Sequence, residues 1–249
     1  MKRVLCLVFS ITQLFASFLA DWTRRGTPIG EGATGGITAI VPAGPFFAIW
    51  AILFPGCIIF ALYQLLPLNR DGRRLADAAK WAAWSFGLTT AWDIAAQFGS
   101  PWMTPPLLIA VAITAVLAAG ACDEAEISLA DRALARVPVS MFAGWTSFAA
   151  FANIGNSLKA LGIVGGASSE LTMCAVLIVA AAAAVTLALR RIGPNWFYAA
   201  PVFWGLLGIL VRDGMPFEPL ILGSVCAATA IVLAALILMR PKSLPDAIA

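Results

Sequence analysis

Eight apolar stretches recur along the chain, at residues 4–20, 46–66, 79–98, 102–121, 137–158, 171–189, 196–212 and 219–239. Each is close to the ~20 residues that an α-helix needs to cross the hydrocarbon of a bilayer. Backbone at that depth must satisfy its own hydrogen bonds, so each stretch reads as a helix, whereas an outer-membrane barrel would show alternating segments of ~10 residues. The predicted fold is therefore all-α, a polytopic transmembrane bundle of eight helices, or seven if the first is cleaved. The lipid bilayer is its first partner. Only 12% of the residues are charged and 61% are hydrophobic, and a soluble domain carries about twice that charged share.

The first stretch also has the outline of a secretory signal, with Lys2 and Arg3 ahead of it and Ala20 before Asp21. Bulky Phe18 stands where a cleavage site takes a small residue, which favours a retained helix. The connections are short apart from residues 21–44, a segment rich in Gly, Thr and Pro that also carries Trp22, Arg24 and Arg25.

The net charge of +3 is too small to point to nucleic acid, and the cations report topology instead. Twelve of the sixteen Lys and Arg residues fall at the N-terminus and on the connections of the same side: Lys2, Arg3, Arg70, Arg73, Arg74, Lys80, Arg132, Arg136, Arg190, Arg191, Arg240 and Lys242. The other side holds four, Arg24, Arg25, Lys159 and Arg212. This asymmetry puts both termini in the cytoplasm, and the helices suggest a bacterial inner membrane.

Much chemistry is excluded. The chain has no histidine, so it offers no His-ligated haem, His-based zinc site or Ser-His-Asp triad. Its five cysteines (Cys6, Cys57, Cys122, Cys174, Cys226) are dispersed without a CxxC pair and read as small packing residues. Asp123, Glu124, Glu126 and Asp131 share a loop with Arg132 and Arg136, the pattern of a solvated surface. No metal site, required cofactor or catalytic constellation is expected.

Ionisable and polar groups inside apolar segments are costly and mark candidate sites. Ser85, Thr89, Asp93 and Gln97 recur every four residues along the third segment, with Trp92 beside them, and form one stripe of a helix. On the fifth, Trp145, Asn153 and Asn156 fall within about 80° of one another at 100° per residue. Two uses compete for both stripes: lining a single pocket under the 21–44 loop, or hydrogen-bonding helix to helix. Of the nine tryptophans, Trp22, Trp81, Trp102 and Trp196 lie near segment ends and suit an interfacial belt. Trp50, Trp84, Trp92, Trp145 and Trp204 lie deeper, where an indole either stacks on a flat ligand or packs as core.

Two stretches then carry a family resemblance. PAGPFFAIW at 42–50, continuing to Tyr63 and Gln64, and VPVSMFAGWTSFAAFAN at 137–153 resemble the second and fifth helices of the TspO/MBR family, the tryptophan-rich sensory proteins related to the mitochondrial translocator protein. WSFGLTTAW at 84–92 is similar to the family's third helix more loosely. Tyr198 and the run FWGLLGI at 203–209 look familiar from its longer members. The resemblance implies a five-helix core at residues 1–160, capped by 21–44, and a three-helix transmembrane extension at 161–249. It implies a pocket for porphyrins and other tetrapyrroles, sterols or related apolar ligands, with Trp50, Trp145, Ala149 and Asn153 facing the ligand and Phe47 beside them. Pro45 stands where the family usually has Trp or Tyr, and Thr89 and Thr90 where an Asn is common.

The expected function is binding of an apolar, tetrapyrrole- or sterol-like molecule in a Trp-lined pocket, as a sensor, carrier or regulator. The ligand-binding candidates are Phe47, Trp50, Thr89, Trp92, Asp93, Trp145, Ala149 and Asn153, with Arg24 and Arg25 placed to meet a ligand's carboxylates. One rival is a proton-coupled transporter using Asp93. Another is an accessory or assembly subunit, or a homodimer, docking through small-residue faces such as 180–184. An enzyme has no residue-level support.

Overall fold

In the computed structural model the described residues are 1–29, 37–69, 72–99, 101–122, 127–212 and 219–238. Asp123, Glu124 and Glu126 of the acidic loop, and the cations Arg70, Arg240 and Lys242, lie outside them. The described residues form eight long helices and no strand. They are α1 (Lys2–Ala16), α2 (Trp50–Tyr63), α3 (Arg73–Phe98), α4 (Thr104–Ala121), α5 (Val137–Ala160), α6 (Ala167–Ile192), α7 (Trp196–Leu210) and α8 (Pro219–Leu238). The protein is a helical membrane bundle. Four spans are long and apolar enough to cross a membrane by length and composition alone: Gly44–Tyr63, Thr104–Ala121, Leu129–Ala160 and Ala167–Ile192.

Chain ends follow local chemistry. The second apolar segment starts as a 3-10 turn over Gly44–Ile49, because Pro45 opens it after extended Ala43 and Phe46 N–H then bonds Ala43 O across three residues. At the start of α7, Asn195 Oδ1 accepts from Phe197 N–H and Tyr198 N–H while its Nδ2 donates to Ser140 of α5. One side chain thus caps a helix and docks it. The last turn of α6 carries Arg190 and Arg191, which suits the negative helix end. Gly193 follows at φ +78°, a conformation that favours glycine.

Five helices close a ring. α1 packs on α2 and α3, α3 on α4, and α5 joins α2 to α4. On its far side α5 also carries α6 and α7, and α8 packs across those two. The helix shared by both groups is the most enclosed: 67% of the span ending in α5 is buried, against 33–39% for the other three. α5 and α7 approach so closely that a Cβ at Gly144 would lie 1.9 Å from Tyr198 O. The buried Tyr198 hydroxyl then donates to Ser147 at 2.9 Å. α1 is fastened by Arg3, which donates to the carbonyls of Gln64, Asn69 and Gly72.

The outer surface is apolar. Ile52, Trp84, Ile113, Val176 and Leu187 are all exposed, an outward hydrophobic face of the kind that meets lipid tails in a membrane bundle. Trp22, Trp102 and Trp196 are exposed near helix ends, as expected of an interfacial belt. Trp84, a deep tryptophan by sequence, turns outward with them.

Candidate functional site

A cavity of about 450 Å³ lies inside the five-helix ring, under the residues that precede the 3-10 turn. That is within the usual range for a small-molecule site. Its deep wall is aromatic. The Trp145 ring meets Trp50 edge-on at 6.1 Å and Phe47 edge-on at 6.0 Å, and lies 5.9 Å from Phe148. These centroid spacings are those that aromatic quadrupoles prefer. The same helical period that forms α5 delivers Trp145, Ala149, Asn153 and Asn156 to one face, and all four line the cavity.

Six of the eight residues singled out by sequence meet there: Phe47, Trp50, Trp92, Trp145, Ala149 and Asn153. Three of them carry a polar atom with no partner among the described residues. Trp92 Nε1, Trp145 Nε1 and Asn153 Oδ1 are all buried and unbonded. Each such unmet donor or acceptor costs roughly 1–3 kcal/mol.

Thr89 and Asp93 are placed elsewhere. Neither lines the cavity. Thr89 Oγ1 donates to Ser85 O within its own helix, and Asp93 accepts from Ser17 Oγ at 3.4 Å, beside α1. The rest of the stripe also joins helices: Ser85 Oγ donates to Val111 O of α4, while Gln97 receives Ala20 N–H and donates to Ala16 O. Gln97 alone of these four reaches the cavity as well. The four-residue period was real, but the face it marks is mainly an interhelical seam. Arg24 and Arg25 are exposed and off the cavity, so the cations expected at the mouth are not the ones found there.

The lid is a short piece of backbone held by side chains from distant helices. Asn156 Oδ1 accepts from both Thr38 N–H and Thr38 Oγ1, at 2.9 and 2.7 Å. Glu170 of α6 accepts from Ala39 N–H and pairs with Lys159 Nζ at 2.9 Å. Arg212, just past α7, donates to Thr38 O and Val41 O, both at 2.8 Å. Ala43 N–H bonds Gly208 O at 2.9 Å, and Trp204 Nε1 donates to Phe46 O at 2.8 Å. Residues past α5, on α6 and α7 and at Arg212, therefore supply most of the lid's fastening. Arg212 is the one cavity-lining residue among them. The sequence hint for it was slight: one cation directly after an apolar segment, on the side with few cations.

No curated protein and no solved structure matches the chain. The family model described as TSPO-like protein matches residues 3–239, running through the five-helix ring and the three helices after it. On that match, the chain belongs to the TSPO-like protein family.

Proposed function

We propose that the cavity binds a flat, largely apolar small molecule of tetrapyrrole or sterol kind, and that the protein works through that ligand as a sensor, carrier or regulator. The observation that carries this reading is the aromatic wall of the cavity, where Trp145 meets Trp50 and Phe47 edge-on, with the polar Asn153 and Asn156 on the same lining face. Aromatic faces suit a planar ring system, and a few convergent polar groups fix its orientation. The lid lies on the side where four cations stand against twelve. That asymmetry supports both termini in the cytoplasm, and the helices with their short connections support a bacterial inner membrane.

Tryptophan-fluorescence titration with protoporphyrin and with a sterol tests the reading, alongside Trp145→Phe and Asn153→Ala. Saturable micromolar quenching that weakens in both variants is the expected result. No saturable quenching by either probe would remove the pocket from consideration as a site for this ligand class.

A further inference from the structure

Charge at the cavity mouth is uneven. Lys159, Glu170 and Arg212 surround residues 37–41, yet only two of them neutralise each other. Lys159 pairs with one oxygen of Glu170, and the other oxygen is occupied by Ala39 N–H. Among the described residues no carboxylate lies within ion-pair distance of Arg212. Its hydrogen bonds to Thr38 O and Val41 O both leave from Nη1, so Nη2 and Nε have no partner among the described residues. Two backbone carbonyls thus fix one corner of a guanidinium that lines the cavity. Its remaining edge keeps the planar fork that a carboxylate fits with two parallel hydrogen bonds. Much of the side-chain entropy that such a contact costs has already been lost to the clamp.

The opposite end of the cavity has no such charge. Trp50, Trp145, Phe148 and Leu108 line it. From Trp145 to Ser157 along α5 the wall extends about 18 Å at the helical rise. A ligand filling that length has an apolar body against the indoles and reaches the lid with its other end.

We infer that Arg212 makes this site selective for ligands carrying a carboxylate, which docks on its free edge while the apolar body lies against the tryptophans. The inference rests on the tetrapyrrole reading above and sharpens it to an anionic amphiphile. It also gives the chain beyond α5 a part in recognition, since Arg212 lies just past α7.

The test uses the full chain in detergent, titrated with protoporphyrin IX and with its dimethyl ester, which has the same macrocycle and no carboxylate. Wild type, Arg212→Lys and Arg212→Gln are compared. Wild type is expected to favour the diacid. Arg212→Gln should lose about tenfold or more for the diacid and less than about threefold for the diester, with Arg212→Lys between. Equal wild-type affinity for acid and ester would overturn the carboxylate role. So would equal losses for both probes in Arg212→Gln, the pattern of a residue that merely clamps Thr38 and Val41. The pocket reading survives either result, because the probes still bind. If neither probe saturates wild type, the pocket reading and this inference fall together.

Discussion

Glu170 and Ala39 are 131 residues apart in sequence, yet the Glu170 carboxylate accepts the Ala39 N–H at 3.1 Å and so ties α6 to the lid over the ring. The carboxylate is buried, with a side-chain exposure of 8%, while its partner Lys159 is 26% exposed. Glu170→Ala removes the lid contact and leaves the cation half-shielded. After discounting for solvent at Lys159, the expected loss is about 1–2 kcal/mol, shown as a lower thermal midpoint. Amide hydrogen exchange at residues 38–41 should speed up more than exchange in the middle of α5. Equal acceleration in both places would mean that the lid and the bundle open as one unit.

The α5–α7 contact predicts a contrast between two glycines. A Cβ at Gly144 would meet the Tyr198 backbone carbonyl at 1.9 Å, whereas one at Gly205 would meet the Phe148 ring at 2.4 Å. Backbone cannot swing aside, so Gly144→Ala should cost about 3 kcal/mol or more of stability in detergent unfolding. At Gly205→Ala the ring can turn. Because Phe148 lines the cavity, that substitution should change probe affinity more than stability. Equal unfolding losses at the two sites would contradict this account.

Asn153 predicts a trade between stability and binding. Its Oδ1 is buried without a partner, so Asn153→Leu removes an unmet acceptor of similar size. Unfolding stability should hold or rise by up to about 1 kcal/mol, while probe quenching weakens. Loss of both stability and binding would show that Asn153 supports the fold.

Asp93 separates a binding role from a transport role. It lies off the cavity and accepts from Ser17. Asp93→Asn keeps a group of the same shape that can still accept that bond. Porphyrin quenching should therefore match wild type within about twofold, since no contact made by the ligand is lost. A clear loss of affinity in this variant would move the site toward α1 and revive a role for Asp93 in moving substrate.

Most of the fold was legible because the bilayer imposes one length and one hydrogen-bonding rule on every segment. The segment read as 79–98 is a helix from Arg73 to Phe98, since Arg73, Arg74 and Asp77 end the apolar window while the run RRLADAA that holds them is rich in the good helix formers Arg, Leu and Ala. The segment read from 46 begins its α-helix at Trp50, after the 3-10 turn that Pro45 opens. Within the site, the faces of α2 and α5 were readable because period and motif agreed on Trp50, Trp145 and Asn153. The stripe through Thr89 and Asp93 was readable as a stripe, but periodicity gives a face and not the neighbour it meets. Glu170 and Arg212 were out of reach for a different reason. Their partners at Ala39, Thr38 and Val41 lie 131 to 174 residues away, and no local pattern encodes such a contact.

The fastening of residues 37–46 by α6 and α7 has a consequence in time. A membrane protein is made from its N-terminus, and its segments emerge in order. All of the pocket wall but Arg212 has been made once α5 is finished, and Asn156 is there to hold Thr38, but Glu170, Trp204, Gly208 and Arg212 are still to come. Until they arrive residues 39–46 lack their ties to α6 and α7. Translation past α5 is what adds them, so a nascent chain halted after α5 should hold its cover more loosely than the finished protein does.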